Sequence, residues 1–298
     1  MNRGRRLASV FLLACLVFVS GGCQGRGGAK ALVILNSPVI TEAVVWSGEV
    51  RINGVATVKK EGRLTILPGT RVVFSKIDLD GDGIGDGELL VEGELLARGT
   101  EGAPIVFTSG AANPQKADWK YLYLDFARRA ELSRVVSEYA YSGIQVHFCR
   151  ARIVDSVFRY NVDGVRFSTV KLELAGNRIH DNSYGLRYEE RGSTAHIHHN
   201  EIRDNEIGIF VVTRGDDKAV IEGNNIVGSL AYSVKLGLEQ QGDVTLPGNW
   251  WGSSDPEAVA STFFDRRFDR SLGTVRAPEP LAAPVPIETW HLHQGDQL

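Results

Sequence analysis

The chain has 298 residues, 43% of them apolar, with a formal net charge of −3. That content suffices for one elongated domain, and the near-neutral charge gives no electrostatic case for a nucleic-acid partner. Beyond the first twenty residues no apolar run is long enough for an internal membrane span.

The N-terminus opens on a basic cluster, Asn2-Arg3-Gly4-Arg5-Arg6. An apolar stretch from Leu7 to Ser20 follows, then Gly21-Gly22 before Cys23. This is the layout of an export signal over residues 1–22. Small residues followed by Cys resemble a bacterial lipobox, which implies lipidation of Cys23 and a membrane-anchored mature N-terminus. Ser20 departs from that pattern, which prefers Leu. Leu12-Leu13-Ala14-Cys15 fits it better, but cleavage there leaves a hydrophobic tail on the mature protein. Gln24 after Cys23 makes the resemblance point to an outer-membrane lipoprotein of the cell envelope. A secreted or periplasmic protein is the alternative. Several acyl chains anchor firmly where a single one is marginal. Residues 23–37 then read as a tether, and residues 38–275 as the folded domain.

The first coil is expected to begin within Trp46–Val58. Between a strand ending at Phe74 and one starting near Leu89 lies the acidic run Asp78-Leu79-Asp80-Gly81-Asp82-Gly83-Ile84-Gly85-Asp86. It resembles an EF-hand loop. Asp78, Asp80, Asp82 and Asp86 stand at carboxylate positions, Gly83 at the turn, and Ile84 where a carbonyl is offered. The twelfth place is Leu89 rather than a bidentate Glu, with Glu88 shifted by one. The spacing also resembles the calcium loops of thrombospondin type 3 repeats. Close carboxylates repel unless a hard cation neutralises them. The run is read as a structural Ca²⁺ site, with a solvated acidic turn as the alternative.

A phrase then recurs four times: IVDSVFRYNVDGV from Ile153, LAGNRIHDNSYGL from Leu174, IHHNEIRDNEIGI from Ile197, and a worn copy from Ile221. A repeat this short without helical periodicity means stacked coils of β-strand. Ile153, Leu174, Ile197 and Ile221 form one apolar column, and Phe158, Ile179, Ile202 and Ile226 a second. Val165, Leu186 and Ile209 form a third, followed two residues on by Phe167, Tyr188 and Val211. Period-two alternation turns these columns inward. Ser156, Asn177, Asn200 and Asn224 form a polar corner column, expected to take the left-handed turn and to hydrogen-bond from coil to coil. Asn161, Asn182 and Asn205 form another. Gly143, Gly164, Gly185 and Gly208 are expected to mark a third corner, giving three strands per coil. On these repeats, on LTILPGTRVVF from Leu64, on ELLVEGELLARGTEGAPIVFTS from Glu88 and on GNWWGSSDPEAV from Gly248, the chain resembles the right-handed parallel β-helix proteins. That group includes pectate lyase-like folds and periplasmic NosD-type proteins. The resemblance implies an all-β, single-stranded, right-handed parallel β-helix.

Enzymes of that fold suggest where chemistry would lie. The N-T-D, G-H-G, R-I-K and D-P-H-D signatures are absent, and the one D-D, Asp216-Asp217, reads as a solvent turn. Gln145, Arg166, Arg187, Phe210 and Lys235 are expected to form one outward stack. His147, Ser168, Glu189 and Val212 are expected to form the next. Arg166, Arg187 and Phe210 are candidate ligand-binding residues. For catalysis, Arg187 is the candidate anion clamp, and Glu189 or His147 the base. His196, His198 and His199 read as surface histidines, because no third ligand lies near them in the aligned columns. Cys149 reads as a packed small residue. Trp250-Trp251 read as an end cap, and residues 276–298, with His291 and His293, as a Pro-rich tail.

The leading expectation is an envelope-anchored, non-enzymatic scaffold that binds a polysaccharide or an envelope protein. The competing one is a calcium-dependent lyase or epimerase acting on uronic-acid polymers. The NosD resemblance adds a third, an accessory role in periplasmic metal-centre assembly.

Overall fold

The computed structural model describes residues 32–287, apart from 190, 191, 193, 216 and 217. The chain divides into two units, Met1–Lys30 and Ala31–Leu298, and all described residues belong to the second. The export signal, Cys23, Asp216-Asp217, His291 and His293 lie outside the described residues.

Three strands make each turn of the chain, and each joins a different parallel sheet. The strand Lys171–Ala175 lies in an eight-stranded sheet, Arg178–His180 in a nine-stranded one and Tyr184–Glu189 in a ten-stranded one. Neighbours within each sheet come from successive coils and run parallel. This is a single-stranded right-handed parallel β-helix. Its interior is filled by like residues on like. In the eight-stranded sheet Trp46, Ile66, Ala97, Leu132, Ile153, Leu174, Ile197 and Ile221 stand in one register-matched, buried column. In the ten-stranded sheet the rings of Phe167 and Tyr188 stack at 5.0 Å and 3°. Each such side chain contributes roughly 1.5–3 kcal/mol when fully buried.

The polar corners are built differently from the expectation. The Asn residues do not take the left-handed conformation; the residue before each one does. Asp155, Gly176, His199, Gly223 and Gly248 have φ between 48° and 68° ahead of Ser156, Asn177, Asn200, Asn224 and Asn249. Tyr160, Asp181 and Asp204 do the same ahead of Asn161, Asn182 and Asn205. The turn thereby swings each Asn side chain into the interior. There its Oδ1 accepts the backbone N–H of the preceding coil's Asn or Ser at 2.9–3.0 Å, from Ser156 down to Asn249. Its Nδ2 donates onward to the next Asn, at 2.9–3.0 Å from Asn177 to Asn249. The second column repeats the scheme from Ala140 through Asn205.

The glycines are also placed otherwise than expected. None of Gly143, Gly164, Gly185 and Gly208 has positive φ. They lie within strands of the ten-stranded sheet, not at a corner. A Cβ on Gly185 would lie 2.6 Å from the Gly208 carbonyl oxygen and 2.8 Å from Asn205 Nδ2, so the Asn column forbids a side chain there. The third corner follows the ten-stranded sheet, at left-handed Phe126, Phe148 and Thr169.

Both ends of the domain differ from the sequence boundaries. Residues read as tether include the strand Leu32–Asn36, which pairs in parallel with Glu49–Asn53. The Pro-rich tail is tied to the last coil: Val285 N donates to Asn225 Oδ1 at 2.8 Å and Asn225 Nδ2 donates to Val285 O at 2.9 Å. Trp251 is buried against Phe263, beside the helix Pro256–Ser261 whose N-cap is Asp255. Cys149 is buried, and burial pushes its thiol up to about 12.

Asn200→Ala removes the acceptor for the buried Asn177 N–H. It should cost about 2 kcal/mol or more, seen as an earlier denaturation midpoint. Lys171→Ala, on the exposed face, should stay within about 0.5 kcal/mol.

Candidate functional site

Because every coil is locked in register, outward side chains form columns too. On the ten-stranded sheet Tyr123, Gln145, Arg166, Arg187, Phe210, Lys235 and Phe264 stand in one line. The neighbouring line runs Asp125, His147, Ser168, Glu189 and then Thr213. Val212, expected there, is displaced by a register shift after Tyr188, where this copy of the repeat is longer. Beside the first line lie Tyr121, Tyr141, Tyr184 and Tyr232; Tyr184 packs on Phe210 at 5.1 Å and Tyr232 on Phe264 at 5.2 Å.

The arginines are held from beneath. Asp163 is fully buried; its carboxylate lies 3.5 Å from Arg187 Nη1 and 4.0 Å from Arg166 Nη1, and Ser142 Oγ donates to it at 3.2 Å. Burial pushes the Asp163 carboxyl up, and the two guanidinium groups only partly pull it back. Arg187 also lies beside the packed Tyr184 and Phe210 rings, 5.5 and 5.6 Å from their centres. Its charge is therefore compensated within the protein and its plane is fixed. Asp163 was not singled out in the sequence, because it precedes the glycine in a repeat whose other copies carry Tyr or Ile there. Ser168 donates to Glu189 at 3.2 Å, and the Tyr123 hydroxyl meets His147 Nδ1 at 3.1 Å. His147 is held below its ordinary value, by burial first and then by Arg166. Up the same sheet Glu88 is pushed to about 7, chiefly by burial, and Tyr123 to about 12 for the same reason.

In the acidic loop Asp78, Asp80 and Asp82 are exposed, and one carboxylate oxygen from each lies within 4.8 Å of the others. Asp78 accepts Gly81 N at 2.7 Å and Gly83 N at 3.0 Å; Asp82 accepts Ile84 N at 2.7 Å. Asp86 is outside that group and accepts Leu79 N at 2.7 Å. Leu89 is buried, and Glu88 faces out in register with Tyr121.

The histidines are closer together than the aligned columns implied. His199 turns the corner, so its Nδ1 lies 2.9 Å from His198 Nδ1. Glu222, one coil on, approaches His196 Nε2 at 3.4 Å, apart from the His198–His199 pair. Burial, then His196 and His199, hold His198 below its usual value.

These features define the class: a parallel β-helix protein whose flat sheets present laddered side chains. The chain belongs to the NosD family, whose profile, described as "Periplasmic copper-binding protein (NosD)", matches residues 83–255. No curated protein and no solved structure gives a significant match. No helix among the described residues is long and apolar enough to cross a membrane. Copper favours imidazole and sulfur donors, whereas all-oxygen sets suit hard cations. Among the described residues the one group that brings three ligand atoms together, Asp78, Asp80 and Asp82, is all oxygen and suits a hard cation rather than copper.

The His147 imidazole should titrate below about 6.5 in NMR. A lowered base is neutral in the fold, so its stabilising share is present above the unfolded value and is lost as pH falls through the folded one. Arg166→Gln should raise the midpoint.

Proposed function

We propose that the chain is a non-enzymatic scaffold, anchored to the cell envelope through Cys23, that binds a glycan or an envelope protein along the outward face of its ten-stranded sheet. One observation carries this reading. The Arg166–Arg187–Phe210 line, flanked by Tyr184 and Tyr232, is a rigid aromatic and cationic strip whose arginines already rest on Asp163. Aromatic faces stack on sugar rings or apolar side chains, and the fixed guanidinium groups offer planar donors to carboxylates. In this reading Arg187 orients a ligand rather than stabilising a developing charge. Ca²⁺ bound by Asp78, Asp80 and Asp82, with the Ile84 carbonyl and Asp86 nearby, has a structural role in the insertion between Phe74 and Glu88.

The lyase or epimerase reading is favoured by a separate observation. Glu88, with a pKa of about 7, shares its sheet face with His147 and the two arginines, and perturbed acids and bases gather at catalytic sites.

Affinity electrophoresis against uronic-acid polysaccharides, with absorbance of new unsaturated ends, separates the readings. The scaffold reading expects retardation without product, weakened roughly 2- to 12-fold by Phe210→Ala or Tyr184→Ala. Product formation abolished by Glu88→Gln overturns it in favour of the enzyme. Retardation of none of these polymers leaves protein ligands, to be sought by crosslinking from Lys235. Calcium should raise the melting midpoint, and Asp80→Asn should abolish that rise; an unchanged midpoint in chelator refutes the calcium assignment.

A further inference from the structure

We propose that the corner carrying Phe126 and Phe148, with Arg129, Arg150 and Lys171 beside it, is a docking surface for an anionic lipid bilayer, against which the solenoid lies on its side. The proposal depends neither on lipidation of Cys23 nor on the Arg166–Arg187–Phe210 strip. It follows from a break in the charge pattern of the eight-stranded sheet and from two exposed rings.

Outward charges on that sheet alternate from coil to coil in the line Glu131, Arg152 and Glu173. The neighbouring line begins in the same way with Arg63, Glu94 and Arg129. It then continues with Arg150, which follows Arg129 beside the Ala130–Ala151 pair, and with Lys171, in register with Arg150. Three cations thus succeed one another at the coil spacing of about 4.8 Å. Like charges directly opposite one another destabilise a sheet. Arg129 shares Glu131 with Arg98, Glu94 holds Arg128 at 3.2 Å, and Glu173 holds Arg152 at 3.0 Å. Among the described residues no carboxylate pairs with Arg150 or Lys171, and both are exposed. A hollow of about 680 Å³ lies here, with Arg128, Arg129, Arg150, Arg152 and Lys171 along it against only Glu131 and Glu173. The chain as a whole carries a net charge of −3, so this excess of positive charge is local.

Arg150 and Lys171 also line a second hollow, of about 520 Å³, which is apolar along Phe126, Phe148, Cys149 and Val170. The fold asks only for a left-handed residue at a corner, and Gly176 and Gly223 supply it elsewhere. Phe126 and Phe148 stand at this one with φ of 51° and 49°, and are 64% and 48% exposed. Their rings stack on each other at 4.7 Å and 11°. Each ring therefore gives a face to the other, and the pair presents hydrocarbon rather than two open faces for sugar rings. Exposed apolar rings flanked by cations are what seats a protein at the headgroup boundary of an anionic leaflet. On the ten-stranded side of the corner, Asp125 is in register with His147. On the cationic side, Glu94, Glu131 and Glu173 are each engaged by arginine. The competing occupant is a soluble acidic polymer, which would use the cations and not the rings.

The test is partition of the full-length chain onto vesicles of phosphatidylglycerol mixed with phosphatidylcholine, against vesicles of phosphatidylcholine alone. Residues 1–30 are the same in every protein compared, so differences between variants report on the corner. Anionic vesicles should be preferred, and the preference should shrink as salt rises. Arg150→Ser and Lys171→Ser should each lower partition onto anionic vesicles about 5-fold and leave neutral vesicles unaffected. Both substitutions relieve a repulsion between exposed groups, so the fold should tolerate them. Phe126→Asn combined with Phe148→Asn should lower partition at least about 5-fold; Asn is at ease in the left-handed conformation. Arg270→Ser, the same charge change at an exposed arginine outside this corner, should leave partition unchanged. Equal partition onto both kinds of vesicle, or a loss in Arg270→Ser as large as in Arg150→Ser, overturns the proposal. So does a loss in the charge variants with none in the double Asn variant, which assigns the cations to a soluble acidic polymer.

Discussion

The interior of this protein can exist only because buried carboxamides are satisfied by other carboxamides one coil away. Each Asn of the two corner columns is removed from water, and a buried amide without partners costs several kcal/mol. Asn177 meets that cost in full: Oδ1 takes the Ser156 N–H, while Nδ2 gives to Ile153 O, Ala175 O and Asn200 Oδ1. The same four bonds recur at Asn200 and Asn224. It requires equal spacing from coil to coil, and so it holds the strands beside these corners in register. The in-strand glycines are a corollary, since only a residue without Cβ clears the carboxamides.

Register locking turns sequence differences between copies into surface patterns. The ten-stranded sheet gathers rings and guanidinium groups over a buried carboxylate. The eight-stranded sheet carries alternating charges instead, as in Arg63–Glu94 at 2.6 Å and Arg152–Glu173 at 3.0 Å, which are exposed pairs of small energetic weight. The two faces thus offer different chemistry on one scaffold, and the histidine corner lies at the edge of the charged face.

Much of this is legible from the chain alone. Period-two columns such as Ile153–Leu174–Ile197–Ile221 are visible because inward positions tolerate only apolar residues, and the Asn columns because nothing else bonds in both directions. The third corner is not visible: left-handed φ falls on Phe126, Phe148 and Thr169, none of them a residue type that favours that conformation. The displacement of Val212 by Thr213 is hidden because alignment by glycine spacing does not reveal where an extra residue is absorbed. The anchoring of Arg187 is not legible because its partner, Asp163, is a buried carboxylate in a repeat that places Tyr184 and Ile207 in the same register.

The C-terminal segment has a kinetic meaning. Coil contacts join residues about 21 to 28 positions apart, as the Asn bonds show, so structure can propagate one coil at a time along the chain. The reciprocal bonds between Asn225 and Val285 span 60 positions and break that rule. Until residue 285 arrives, the last strands present a bare templating edge of the kind that pairs with other chains. The tail is thus a latch that closes over the end of the solenoid after the coils it covers are in place.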